Sequence, residues 1–122
     1  MIGSICIVQT QYYDILKKQH RFKYRPALII AGPRNNDYTI LPISSVSISS
    51  NIDTEYDIKI DPKQYPKLKL RKNSYIRAHK AATVHKAEIL KTVVNMKLLE
   101  NNLYTCVKKK YEQWTKEIIN NA

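Results

Sequence analysis

Apolar residues in this chain come in short, β-branched bursts separated by polar stretches, and only the C-terminal part carries a helical repeat. Ile5-Cys6-Ile7-Val8 follows Gly3-Ser4 as a buried first strand would. Arg25-Pro26-Ala27-Leu28-Ile29-Ile30-Ala31-Gly32 reads as a second strand, with its proline near the start, where one N–H can be spared. Pro33-Arg34-Asn35-Asn36-Asp37 is a turn by composition, and Tyr38-Thr39-Ile40-Leu41-Pro42-Ile43 returns antiparallel to the second strand. Tyr56-Asp57-Ile58-Lys59-Ile60 alternates with period two, as an antiparallel strand with one wet face does.

The connections are read from the same signals. Residues 9–24 lack a continuous apolar face and are expected to form a loop with a helical turn around residues 12–18. Residues 44–54 are a Ser-rich surface loop, and Pro62 and Pro66 disfavour regular structure in the basic segment that holds Lys63, Lys67, Lys69, Arg71 and Lys72. A fifth strand is expected at residues 75–81, a turn at 85–90 and a brief strand at 92–94. Asn95 can then cap a helix reaching to about Ile119. Its apolar stripe is Leu99, Leu103, Cys106 with Val107, Tyr111 with Trp114, and Ile118, while Lys108, Lys109, Glu112 and Lys116 take the other face. The sum is a mainly β chain with a C-terminal α-helix, either a small barrel or a strongly curved sheet with the helix packed on it.

At 122 residues there is room for one domain, spanning 1–122, with a core that needs no staple. Cys6 and Cys106 both sit in apolar periodic segments and are expected to be buried free thiols. A formal charge of +11, from 21 Lys and Arg against 10 Asp and Glu, points to a polyanionic partner. No segment approaches the roughly 20 apolar residues of a membrane span, and Met1-Ile2-Gly3 opens no signal peptide, so a soluble intracellular protein without membrane association is expected. With only two glycines, Gly3 and Gly32, no glycine-rich phosphate cradle can be built, and Ser44-Ser45 lacks a nucleophile elbow. The histidines and acids show no ligand spacing, so neither a metal nor another cofactor is expected.

Two constellations remain. Tyr12, Tyr13, Phe22 and Tyr24 are interleaved with Lys17, Lys18, Arg21, Lys23 and Arg25. Aromatic rings stack on unpaired bases and cations meet phosphates, so this composition suits single-stranded RNA better than a duplex groove. The second set is His20, Arg25, Ser44, Arg77 and His79, which only a fold can bring together. Cleaving RNA without a metal takes a base for the 2′-OH proton, cations for the phosphorane charge and an acid for the 5′-oxygen, roles that arginine and histidine can fill.

The order of motifs resembles the MazF/PemK/Kid family of bacterial toxin endoribonucleases over nearly the whole chain. Gly3-Ser4-Ile5-Cys6-Ile7-Val8 is similar to the family's opening strand, and Arg25-Pro26-Ala27-Leu28-Ile29-Ile30 to its R-P-[AV]-L-[IV]-[IV] strand. Leu41-Pro42-Ile43-Ser44-Ser45 looks like its P-[IV]-[TS]-S, and residues 74–84 resemble its S-x-[IV]-[RL]-x-[DE]-x-x-[RK]-T-[IV]. The resemblance implies an SH3-like small β-barrel of the MazF/PemK/CcdB type, a homodimer, metal-independent cleavage of single-stranded mRNA, a small acidic antitoxin as partner, and a cytoplasmic location.

Carried over by position, Arg25 matches the family's catalytic arginine, Ser44 its phosphate-binding threonine or serine, and Arg77 its strand arginine. His79 stands where the family has a carboxylate. His20-Arg21-Phe22-Lys23 replaces its E-Q-x-G, which leaves His20 near the place of the glutamate, and Ala82 replaces a basic residue. Candidate RNA contacts are Lys17, Lys18, Arg21, Phe22, Lys23, Tyr24, Ser45, Lys67, Lys69 and Arg71. Two other activities compete: inhibition of DNA gyrase by a toxin of the same fold, which relies on a C-terminal tryptophan unlike Trp114, and RNA binding without cleavage.

Overall fold

The structure, a computed structural model, describes residues 1–45 and 49–121. Its strands are β1 (Ser4–Asp14), β2 (Gln19–Arg34), β3 (Asp37–Ser44), β4 (Asp57–Ile60), β5 (Ser74–Arg77), β6 (Ala82–His85) and β7 (Ile89–Asn95), followed by helices α1 (Met96–Leu99) and α2 (Asn101–Asn120). All strand pairs are antiparallel, in the order β4-β5-β3-β2-β1-β7, with β6 added beside β3. The sheet curls into a half-barrel with the terminal helix against it, the small β-barrel architecture expected from the strand pattern.

The apolar bursts are continuous because the central strands are buried on both faces. Ile5, Leu28, Leu41, Ile43 and Ile76 join Met96, Leu103, Tyr104 and Val107 in one cluster beneath the helices. Their immediate neighbours Cys6, Ala27, Ile29 and Ile40 turn the other way and form a second cluster with Val8, Tyr38 and Val84. Register shifts between Ile5 and Cys6 and between Ile7 and Val8 in the β1–β7 pair, and beyond Ile29 in the β2–β3 pair, supply the bends that curl the sheet. Gly32 lies at φ +111°, and a Cβ there would meet the carbonyl oxygen of Asp37 at 2.7 Å, so the closing turn of the β2–β3 hairpin requires glycine.

Several expectations are corrected. Residues 9–24 are not a loop with a helical turn: β1 and β2 stay paired without interruption to Asp14↔Gln19, a long two-stranded ribbon. Its turn is held by the Asp14 carboxylate, which accepts from the backbone N–H groups of Leu16 and Lys17 at 3.0 and 3.1 Å. The ribbon escaped detection because it extends past the core, where no burial imposes an apolar face. The turn expected over residues 33–37 is tighter, at Asn35 and Asn36, both with positive φ. The strand expected at 75–81 ends at Arg77, His85 belongs to β6 rather than to a turn, and β7 begins at Ile89 instead of 92. Of the Ser-rich loop, residues 46–48 lie outside those described.

Asn95 does cap the helical region, accepting from Leu98 N–H at 3.1 Å, but Glu100 leaves helical geometry (φ −138°, ψ 66°) and divides it in two. The expected stripe holds at Leu103 and Val107, joined by Tyr104, and successive residues turn about 100° around a helix, so Cys106 points outward instead of being buried as expected. Leu99 and Ile118 are likewise exposed, at 42% and 48%.

Leu41 is fully enclosed in the middle of β3. Leu41→Ala is expected to cost about 2–5 kcal/mol, read as a lowered urea midpoint with the slope of the transition unchanged.

Candidate functional site

Strand order and register decide which side chains share a surface. Cross-strand partners lie on one face of a sheet, and residues two apart along a strand return to it. The β2–β3 register ends at Ala27 paired with Pro42, and Arg25 and Ser44, each two residues further along its own strand, return to that face. The β3–β5 register pairs Ser44 with Tyr75, and Arg77, two residues past Tyr75, returns to the same face. The β4–β5 register pairs Arg77 with Asp57. Four consecutive strands, spaced about 4.8 Å apart, therefore carry Arg25, Ser44, Arg77 and Asp57 on the same face. Arg25 is exposed, at the point where the ribbon leaves the barrel.

The same alternation sorts the ribbon. Arg21, Lys23 and Arg25 share the face of Arg25 with Tyr12, while His20, Phe22 and Tyr24 share the opposite face with Tyr13. What reads in sequence as interleaving is a cationic surface backed by an aromatic one. Phe22 and Tyr24 are 61% and 59% exposed. Cross-strand contacts hold the ribbon in shape: Lys23 Nζ stands 4.1 Å from the centre of the Tyr12 ring, His20 meets Tyr13 edge-on at 5.3 Å, and Arg21 reaches Asp14 at 3.4 Å. Lys17 and Lys18 sit exposed at its tip.

His20 is thus separated from Arg25 within one chain. Five residues of uninterrupted strand amount to about 17 Å, and the odd offset turns the two side chains to opposite faces. His79 is closer to Arg77. It follows the end of β5, its side chain 13% exposed, with Nδ1 at 3.6 Å from Asp57 Oδ1 and Nε2 at 4.0 Å from Asp53 Oδ2. Its ring is walled by Tyr56 and by the edge of Trp114 from α2, with centroids 6.3 and 6.1 Å away. Tyr56 in turn donates its hydroxyl to Glu117, a bond that pushes the phenol well above its ordinary pKa.

Asp57 is the residue that sequence reasoning missed. Its side chain is 0% exposed and grips Arg77 with both oxygens, Nε–Oδ1 at 3.1 Å and Nη2–Oδ2 at 3.2 Å, while Nη2 also donates to the carbonyl of Asn51 at 2.9 Å. In the sequence it looks like any polar position of an alternating strand, and its partners are 20 and 22 residues away. Asp53 was missed for the same reason. It caps the loop before β4, accepting from Tyr56 and Glu55 N–H groups at 2.9 Å each.

Other candidates lie apart. Lys67, Lys69 and Arg71 are exposed, and Leu68 between them anchors their loop in the core against β7 and α1, with β7 two places from β2 in the sheet. Ser45 is exposed just past β3. A groove of about 560 Å³ runs between α2 and residues Ile30, Ala31 and Thr39, and none of His20, Arg25, Ser44, Arg77 or His79 lines it. Among the described residues no three His, Cys, Asp or Glu side chains converge as metal ligands, and no helix is long and apolar enough to cross a membrane.

The backbone N–H of Tyr56, and after it that of Glu55, holds the Asp53 carboxyl below its ordinary pKa of 3.8, with the charges of His79 and Arg77 adding to the effect. A depressed folded-state pKa contributes stability that is complete above the unfolded value and is lost as pH falls through the folded one. Acid unfolding of the wild type should therefore steepen below about pH 4, and Asp53→Asn should remove that part of the slope, as followed by circular dichroism across a pH series.

None of the curated proteins compared matches the chain. Residues 3–110 match the family described as PemK-like, MazF-like toxin of type II toxin-antitoxin system. The matched stretch covers β1 through the first half of α2 and includes Arg25, Ser44, Asp57, Arg77 and His79, leaving Trp114 and Glu117 outside it. The chain belongs to the PemK-like, MazF-like toxin family of type II toxin-antitoxin systems.

Proposed function

We propose that this toxin is a metal-independent endoribonuclease that cuts single-stranded mRNA on the face shared by β2, β3 and β5. The observation that carries the reading is the common face of Arg25, Ser44 and Arg77, in a chain of a toxin family. Two guanidiniums and a hydroxyl on neighbouring strands offer phosphate donors on one face, continued by the cationic face of the ribbon. The 2′-oxygen attacks the adjacent phosphorus as its proton leaves to a base. The bond to the 5′-oxygen then breaks, that oxygen takes a proton from an acid, and a 2′,3′-cyclic phosphate remains.

In this reading Arg25 and Arg77 stabilise the phosphorane charge and Ser44 orients the phosphate. Proton transfer falls to His79, beside Arg77, or to His20. Since His20 lies about 17 Å along the strand from Arg25, on the opposite face, it serves a site only when a second copy of the chain supplies it, which agrees with a homodimer. The exposed rings Phe22 and Tyr24 lie on the His20 face, so like His20 they reach the RNA of a second copy and stack its bases, while Lys17, Lys18, Arg21, Lys23, Lys67, Lys69 and Arg71, with Ser45, meet the backbone. A net charge of +11 fits an acidic antitoxin that occludes this surface in the cytoplasm. Gyrase inhibition is disfavoured, because Trp114 is committed to packing on His79 and Tyr56.

Purified protein in EDTA should cut single-stranded RNA and leave cyclic phosphate ends. Arg25→Ala should lower the rate by about 100-fold or more. RNA left whole, or cutting that survives Arg25→Ala, would overturn the proposal. Binding that weakens steeply with salt but gives no product would select the non-catalytic reading.

A further inference from the structure

We infer that Asp57 is the positioning carboxylate of this site, supplied from β4 in place of the acid that the sequence lacks at position 79. The inference deepens the ribonuclease reading and rests on it for its kinetic consequences, though not for its geometry.

Three observations converge on this residue. First, the Asp57 side chain is 0% exposed yet sits on the face where Arg25 and Ser44 lie, so it cannot itself meet a nucleic acid; it accepts hydrogen bonds from Arg77 and, at 2.8 Å, from the backbone N–H of Asp53 in the loop before β4. Second, it binds Arg77 in the bidentate geometry that fixes a guanidinium plane, using Nε and one Nη and leaving the rest of the fork to point elsewhere. Arg77 Nη2 divides between Asp57 and the Asn51 carbonyl, so the group is anchored from two sides before any ligand arrives. Third, the buried Nδ1 of His79 has no hydrogen-bond partner among the described residues, and Asp57 Oδ1 stands 3.6 Å from it.

One carboxylate thus fixes Arg77 and stands beside His79. It sets the plane of the Arg77 guanidinium, and its Oδ1 faces His79 Nδ1 at 3.6 Å, beyond hydrogen-bond range, as Asp53 is from Nε2 at 4.0 Å. Its charge acts on the ring through space, while Arg77 is the group it holds by hydrogen bonds. Trp114 and Tyr56 press the ring from the sides, and the Tyr56–Glu117 bond fastens the end of α2 over it. A direct swap of carboxylate for histidine at position 79 would have left Arg77 without a counter-charge; Asp57 meets that need from across the ladder.

The test combines a kinetic arm with a spectroscopic one. Asp57→Asn should lower kcat for an RNA oligonucleotide at least about tenfold with KM changed less than twofold, because binding cations remain while their aim is lost. In the nuclear magnetic resonance spectrum of the wild type, the Arg77 Nε–H should give a resolved, slowly exchanging signal correlated with the Asp57 carboxylate, and Asp57→Asn should abolish it. Folded Asp57→Asn with unchanged kcat, or with the Arg77 signal unchanged, overturns the inference. Should the wild type cut no RNA, the ribonuclease reading fails, and the Arg77 signal still decides whether Asp57 positions it. Should Asp57→Asn not fold, the wild-type correlation alone decides, and its absence overturns the inference.

Discussion

The register of β3 is the constraint on which the molecule turns. This strand hydrogen-bonds to β2 along most of its length, to β6 over its first half and to β5 at its last two residues, so it is the hinge line of the half-barrel. A slip of one residue would turn Leu41 and Ile43 out of the cluster under the helices and rotate Ser44 off the face it shares with Arg25. One ladder thus sets both the cluster under the helices and the face of Arg25 and Ser44, which continues along the same strands into the second apolar cluster at Ala27, Ile29 and Ile40. The double-sided burial of β1, β2 and β3 protects that register, because neither face can tolerate the exchange.

Much of this was legible in the sequence, for identifiable reasons. Ile5, Leu28 and Leu41 sit in apolar bursts that only a strand buried on both faces explains, and Asn95 sits where a helix cap should, so the centre of the sheet and the start of the helical region could be read off. The ribbon could not. Phe22 and Tyr24 obey period two, but their alternation is of aromatic against cationic rather than apolar against polar, and no core selects between the two faces. The helix stripe was legible from Leu103 through Val107 and Tyr111 to Trp114, but the break at Glu100 has no composition signal such as proline or glycine. Cys106, next to Val107 at the margin of the stripe, turns to the exposed side.

The site was legible to the extent that it lies on local motifs. Arg25 before Pro26, Ser44 after Ile43 and Arg77 after Ile76 each stand at a strand position the sequence marks. What joins them to Asp57 is cross-strand pairing over 20 residues, and what closes Tyr56 and His79 against Trp114 and Glu117 is packing over the full second half of the chain. Contacts of that range leave no periodicity.

The packing of α2 has a practical consequence. The chain holds a single tryptophan, and Trp114 is set edge-on against both Tyr56 and His79. All indole emission from this protein therefore originates at the wall of the site, from a side chain that lies outside the stretch matched to the family. Folding of the helix onto the sheet, and any disturbance of the ring behind Arg77, are reported by one intrinsic fluorophore without a label.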